Sequence, residues 1–160
     1  MPEFPEEQLA ACLSKKKLTV ATAESCTGGQ VSDRITNLAG ASNFFLGGIV
    51  AYSNQAKLSL LGVDEATLNQ HGAVSRETAL EMAVGARRVF SADLAVSITG
   101  IAGPEGGTAE KPVGLTWIGI SSEAGASAVR HIWDGDRLAN KRSSANAALN
   151  LLLEAAGQRE

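Results

Sequence analysis

The sequence predicts a three-layer α/β sandwich built on a mixed β-sheet. Three observations support this fold class. Helical and strand patterns alternate along most of the chain, two strand patterns near its end are joined by a short turn, and a long helical pattern follows them. The chain has 160 residues, a length that suits one domain, and we expect a single domain over residues 1–160.

Apolar periodicity and capping residues predict each element in order. The first half is expected to hold a helix over 6–17, a strand over 18–23, a turn over 24–29 leading into a helix to about 38, a strand over 44–52, a short helix capped by Ser53 or Asn54, and another over 64–71. The second half is expected to hold a long helix capped by Ser75, a strand over 93–99, a loop over 100–112, a hairpin of strands over 113–121 and 126–133, and a final helix capped by Asp136.

Composition excludes several classes of function. The net charge is −3, so the chain lacks the broad positive field that nucleic-acid binding usually needs. Two cysteines, Cys12 and Cys26, form no disulfide framework, and together with His71 and His131 they give no structural zinc spacing. We expect no metal site.

The distribution of apolar residues bears on the cellular location of the protein. The N-terminal residues 1–7 are acidic and contain no apolar signal segment, and every long apolar run has the length of a strand. We therefore expect a cytoplasmic protein that does not enter a membrane.

A polar turn follows the first predicted strand and offers candidate nucleophiles. Ser25, Cys26 and Thr27 come directly after this strand, and Gly28 with Gly29 would let a ligand approach the backbone. A nucleophile at the start of a helix gains from the helix dipole and from nearby backbone N–H groups. The alternative is that Ser25 or Thr27 only caps the helix.

A second polar segment, at the end of the strand over 44–52, offers a base. If Ser53 or Asn54 caps the helix, Lys57 lies in its first turn, and its side chain leans back toward the end of the strand. A cation is disfavoured at this end of a helix, which lowers the pKa of the lysine. A neutral lysine can serve a serine nucleophile as a base. The alternative is a solvated surface lysine.

Two further segments suggest anion binding. Four of the nine residues from Thr99 to Gly107 are glycine, which allows backbone N–H groups to surround an anion, although the pattern matches neither a P-loop nor a dinucleotide fingerprint. Arg137, Lys141 and Arg142 begin the final helix, and a bound anion would explain cations there. We expect Arg142 on the apolar stripe of this helix. The alternatives are an ordinary loop and a solvated basic face.

Several sequence motifs follow one another along the chain. They are Ala-Glu-Ser-Cys-Thr-Gly-Gly at 23–29, Tyr-Ser-Asn at 52–54 with Lys57, Gln-His-Gly-Ala-Val-Ser at 70–75, Gly-Ile-Ala-Gly-Pro at 100–104 with Gly-Gly at 106–107, Lys-Pro-Val-Gly at 111–114, and Gly-Asp-Arg at 135–137. Taken together, these motifs resemble the CinA C-terminal domain family in the same order, and the similarity covers about residues 9–153.

The resemblance implies an enzyme that hydrolyses the carboxamide of nicotinamide mononucleotide (NMN), giving nicotinic acid mononucleotide and ammonia for pyridine nucleotide salvage. It implies no metal and no cofactor. Carried over, Ser25 is the nucleophile, Lys57 is the general base, and Tyr52 assists this pair by hydrogen bonding or proton relay.

The resemblance also implies a set of substrate-binding residues. The set comes from the turn after the first strand, from the glycine-rich segment 99–107 (the glycine loop), and from two arginines that would bind the phosphate or the amide. Its members are Thr27, Gly28, Gly29, Thr99, Gly100, Gly103, Arg137 and Arg142. The family implies a homodimer or a higher homo-oligomer. Because only 17 residues precede the first predicted strand, we expect the additional N-terminal domain of the two-domain members to be missing.

Two other interpretations stay open at this point. In the first, the chain is a non-catalytic nucleotide-binding or regulatory module. In the second, it is a different amidase or a broader pyridine-nucleotide hydrolase. The first would keep the glycine loop and the arginines but would not need a serine–lysine pair.

Overall fold

The computed structural model describes residues 4–159. The first three residues of the acidic N-terminal segment and the last residue of the expected domain lie outside this range. The strands are β1 (Val20–Glu24), β2 (Phe45–Val50), β3 (Leu94–Gly100), β4 (Leu115–Ser122) and β5 (Gly125–Ile132). The helices are α1 (Pro5–Lys16), α2 (Gln30–Thr36), α3 (Asn54–Leu61), α4 (Glu65–His71), α5 (Arg76–Phe90) and α6 (Arg137–Gln158), with a short 3₁₀ helix at Ala41–Asn43.

The strands form one mixed sheet in the order β2-β1-β3-β4-β5, which confirms the predicted sheet type. Strand β1 is parallel to β2 and β3, whereas β4 is antiparallel to both of its neighbours, β3 and β5. Glu24, the last residue of β1, pairs with Val50 on one side and with Ile98 on the other. The carboxyl ends of β1, β2 and β3 therefore lie at the same edge of the sheet.

Helices cover both faces of the sheet and complete the three predicted layers. Helices α1, α2 and α6 pack on one face, and α3, α4 and α5 lie on the other. The core of the first face includes Val20 and Leu149, while that of the second includes Ala21 and Met82. Because side chains alternate along a strand, adjacent residues of β1 belong to different cores.

Side-chain caps fix the start of the helices that border the site. The Ser53 hydroxyl accepts from the backbone N–H of Ala56, and Ser75 and Asp136 act in the same way at α5 and α6. Each predicted cap is confirmed. A cap of this kind stabilises a helix by about 1 kcal/mol.

Two details of the sequence prediction are wrong. Strand β1 extends through Glu24, which was expected in the turn, because Glu24 continues the pairing with both neighbouring strands. Arg142 is exposed rather than part of the apolar stripe of α6. The buried residues in the first two turns of α6 are Asn140, Ser144 and Ala145, which places the buried side of the helix away from Arg142.

Two helical glycines make a matched pair for testing the packing of α5. A Cβ atom on Gly85 would lie 1.9 Å from the carbonyl oxygen of Leu61, while nothing lies within 4 Å of one on Gly157. We expect Gly85→Ala to lower the free energy of unfolding by about 1–3 kcal/mol through overpacking. Gly157→Ala should leave it unchanged or raise it by up to about 1 kcal/mol. Urea denaturation measures both changes, and equal effects of the two substitutions would contradict this packing.

Candidate active site

The turn after β1 presents Ser25 at the edge of the sheet. The backbone N–H of Ser25 donates to the carbonyl oxygen of Ile98 at 3.0 Å, and the N–H of Gly28 donates back to the carbonyl of Ser25 at 3.1 Å. Gly28 and Gly29 have φ angles of +63° and +109°, in the left-handed region that favours glycine. The turn is thus fixed at both ends, and it buries Ser25 to 8% exposure.

The side chain of Glu24 holds this turn in place through hydrogen bonds. Its carboxyl oxygens accept hydrogen bonds from the Thr27 hydroxyl at 2.7 Å, the backbone N–H of Val31 at 2.9 Å, and both the backbone N–H and the hydroxyl of Ser32. Four donors compensate for the burial of a polar group that is only 1% exposed. Glu24 therefore ties the Ser25 turn to the start of α2, a role that the sequence interpretation missed.

Lys57 of α3 extends its side chain to the hydroxyl of Ser25. Its side chain is 1% exposed, and its Nζ atom lies 3.0 Å from the Ser25 hydroxyl oxygen. The same nitrogen donates to the carbonyl oxygens of Ala51 at 2.9 Å and Tyr52 at 3.2 Å. Within residues 4–159 it forms no ion pair with a carboxylate. The Ser53 cap sets this geometry, because it places Lys57 in the first turn of α3.

Burial is the main cause that lowers the pKa of Lys57 below its ordinary value, and the charge interaction with Cys26 opposes it. The contacts suit a neutral amine. Its two N–H bonds can point to the carbonyls of Ala51 and Tyr52, which leaves the lone pair for the Ser25 O–H. The arrangement can therefore remove a proton from Ser25.

Cys26 is not arranged as a nucleophile. Burial raises the pKa of its thiol to about 11, although the positive charges of Lys141 and Lys57 oppose the rise. The thiol is consequently protonated near neutral pH, and a thiolate is the reactive form. Neither His71 nor His131 lines the cavity at Ser25.

A cavity of about 280 Å³ opens above the Ser25–Lys57 pair. Among the expected substrate-binding residues, Thr99, Gly100, Gly103 and Arg137 line it, whereas Thr27, Gly28, Gly29 and Arg142 do not. The remaining lining residues come from the Ser25 turn, the segment after β2, the segment before α5 and the loop after β3: Cys26, Tyr52, Ala73, Val74, Ile101, Ala102, Glu105 and Gly106. The cavity therefore combines the Ser25 hydroxyl, the Lys57 amine and the backbone of a glycine-rich loop.

The phenol of Tyr52 contacts neither Ser25 nor Lys57 by a hydrogen bond. Its side chain points outward, with the residue 62% exposed, and its hydroxyl oxygen accepts from Nη2 of Arg137 at 3.2 Å. Arg137 also donates through Nη1 to the carbonyl oxygen of Gly103 at 2.8 Å. Tyr52 supports Lys57 through its backbone carbonyl, and its phenol joins Arg137 in fixing the glycine loop.

Of the other expected binding residues, Thr27 and Arg142 line a second cleft, whereas Gly29 lies against Val50, which would be 3.7 Å from a Cβ atom on the glycine. Thr27 is buried and donates its hydroxyl to Glu24, and it lines a cleft of about 310 Å³ with Gln30, Leu138, Lys141 and Arg142. Gly28 borders it, because a Cβ atom there would lie 3.9 Å from Nζ of Lys141. The sequence interpretation named Arg142 but not Lys141 as a site residue. The basic residues at the start of α6, Arg137, Lys141 and Arg142, were the sequence signal that could have identified Lys141.

The described residues contain neither a metal-binding cluster nor a membrane-spanning helix. Between residues 4 and 159, no set of three or more histidine, cysteine, aspartate or glutamate side chains is placed to hold a metal ion. No helix in this part of the chain has the length and apolar character needed to span a membrane.

Comparison with known proteins identifies the family. The profile of the CinA C-terminal domain matches residues 3–156. The chain belongs to the CinA C-terminal domain family. A "CinA-like protein" of Chloroherpeton thalassium is 50% identical over 153 residues, which cover 93% of this chain and 36% of that protein. The chain thus spans about a third of the length of such CinA-like relatives.

Other CinA family members match the chain over most of their own length. The "Nicotinamide-nucleotide amidohydrolase PncC" of Escherichia coli is 49% identical over 147 residues, covering 91% of this chain and 89% of that protein. Among solved structures, a CinA superfamily protein of Klebsiella pneumoniae superimposes with a TM-score of 0.93 at 32% identity, covering 97% of both chains. A competence/damage inducible protein of Agrobacterium tumefaciens superimposes with a TM-score of 0.87 at 41% identity, covering 99% of this chain and 100% of that one.

Proposed function

We propose that the chain hydrolyses the carboxamide of NMN to nicotinic acid mononucleotide and ammonia, with Ser25 as the nucleophile and Lys57 as the general base. The observation that carries this proposal is the buried 3.0 Å contact between Lys57 Nζ and Ser25 Oγ. The 49% identity to the E. coli nicotinamide-nucleotide amidohydrolase supports the choice of substrate.

In the first half of the reaction, the neutral amine of Lys57 takes the proton of the Ser25 hydroxyl as Oγ attacks the carbonyl carbon of the carboxamide. The tetrahedral intermediate carries a negative oxygen, and we assign its stabilisation to the backbone N–H groups of Cys26 and Thr27. The ammonium of Lys57 then donates its proton to the leaving nitrogen. The C–N bond breaks, ammonia departs, and an ester joins the acyl group to Ser25.

In the second half, the neutral Lys57 accepts a proton from a water molecule that attacks this ester. Collapse of the second tetrahedral intermediate breaks the bond to Oγ and releases the carboxylic acid, while the proton on Lys57 returns to Ser25. The acid then loses its proton to water and leaves as the carboxylate. The carbonyls of Ala51 and Tyr52 hold the Lys57 nitrogen in one position through both halves. This preorganisation lowers the entropy loss in each transition state.

The loop between β3 and β4 supplies the wall against which the pyridine ring would lie. Arg137 keeps this loop in place through its bond to Gly103, and Thr99 fixes the opposite wall by donating its hydroxyl to the carbonyl of Ala73 at 2.7 Å. We assign the reaction to pyridine nucleotide salvage in the cytoplasm. The expectation of a homodimer or higher homo-oligomer stays a prediction.

Removal of the nucleophile gives the first test. Purified chain should release ammonia from NMN, and Ser25→Ala should lower kcat by about 10⁴-fold or more because no covalent intermediate can form. EDTA should not change the rate of the unmodified chain. Ammonia release is measured by a coupled assay, and Cys26→Ala serves as the matched control with retained activity. NMN binding without ammonia release would favour a non-catalytic nucleotide-binding module instead.

The pH dependence of kcat/KM tests the base. Only the deprotonated Lys57 carries a lone pair, so kcat/KM should rise with pH and reach half its maximum at the pKa of Lys57, which burial holds below its ordinary 10.5. Lys57→Met should lower kcat by about 10²–10⁴-fold and remove this rise. Initial rates from about pH 6 to about pH 10 give the profile. A Lys57→Met variant with the unmodified profile would show that another group is the base.

A further inference from the structure

A second cleft begins at Thr27, two residues after Ser25. Thr27 and Gln30 form one wall, and Leu138, Lys141 and Arg142 of α6 form the other. Its volume is about 310 Å³. The mechanism at Ser25 uses none of these side chains.

The charge of this cleft is positive. Lys141 and Arg142 contribute two cations, and no aspartate or glutamate is among the lining residues. Within residues 4–159, neither cation forms an ion pair or a side-chain hydrogen bond. Basic side chains that converge on a cleft without acidic partners are suited to bind an anion.

The cleft is close to the reacting atoms but separate from them. Thr27 follows Ser25 by two residues, and Lys141 lies one helical turn, about 6 Å along the axis, after Arg137, which lines the reaction cavity. The positive charge of Lys141 is also near enough to act on the thiol of Cys26, which borders Ser25. A ligand that extends from the reaction cavity past Arg137 would therefore reach Lys141.

We propose that Lys141 and Arg142 bind the phosphate group of the nucleotide substrate in this cleft. The inference rests on the proposed function. In NMN the carboxamide and the phosphate stand at opposite ends of the molecule, separated by the pyridine ring and the ribose. A phosphate site must then lie next to the reaction cavity and not inside it. Lysine offers a compact charge and arginine a planar pair of donors, and both suit a phosphomonoester.

Gly28 borders the cleft beside Lys141. It is exposed, and a Cβ atom on it would lie 3.9 Å from Nζ of Lys141, an ordinary van der Waals distance. Arg137 is a weaker candidate for the phosphate, because its guanidinium already donates to the carbonyl of Gly103 and to the hydroxyl of Tyr52. Lys141 and Arg142 have no such partners to give up.

The test compares NMN with nicotinamide riboside, which has the same carboxamide and ribose but no phosphate. Lys141→Met should raise the KM for NMN, and the ratio of kcat/KM for NMN to that for nicotinamide riboside should fall about tenfold or more, as for a lost hydrogen bond to a charged group. Arg142→Met should lower the same ratio. The matched control is Lys15→Met, an exposed lysine of α1, which should leave the ratio unchanged.

A binding measurement separates this inference from the proposed function. Calorimetry with ribose 5-phosphate should show binding to the unmodified chain and about tenfold weaker binding to Lys141→Met. Binding that depends on Lys141, without ammonia release from NMN, would support the phosphate site while overturning the proposed activity. Ammonia release with an unchanged substrate ratio in Lys141→Met would support the activity and overturn the phosphate site.

Discussion

The burial of the Lys57 amino group is the constraint on which the proposed chemistry depends. A fully charged ammonium without a carboxylate partner would lose several kcal/mol of hydration on burial. The neutral amine avoids most of this loss, and it still satisfies the carbonyls of Ala51 and Tyr52. The same burial that disfavours the proton on Lys57 therefore makes the group a base toward Ser25, so that stability and reactivity have one physical origin.

The topology of the sheet brings Lys57, the proposed base, to Ser25, the proposed nucleophile, across 32 residues of sequence. Because β1, β2 and β3 are parallel neighbours, their carboxyl ends meet at one edge, and the segments that follow them supply Ser25, the Ala51 and Tyr52 carbonyls, and Thr99. Open α/β sheets generally bind ligands at this edge. The buried carboxyl group of Glu24 then holds the Ser25 turn in position.

Local patterns predicted much of the fold, since caps, apolar periodicity and turn residues act over a few positions. The cap of α3 is an example, because a cap at Ser53 or Asn54 placed Lys57 in the first turn, and the structure shows Ser53 in this role. The partners of a side chain are set by tertiary packing and were harder to predict. Tyr52 supports Lys57 through its carbonyl while its phenol contacts Arg137. The periodicity of α6 did not reveal the exposure of Arg142, because the buried side of this helix near its start follows Asn140 and Ser144.

The most direct test of this account is an NMR titration of the lysine side chains of the native protein, with Lys57→Met used to assign the Lys57 resonance. The account predicts that Lys57 titrates below its ordinary 10.5, because burial disfavours the ammonium. Substitution Ser25→Ala should leave this low pKa in place, since desolvation and not the hydroxyl is its main cause. A Lys57 that titrates at or above 10.5 in the folded protein would contradict the account, because a protonated amine cannot activate Ser25.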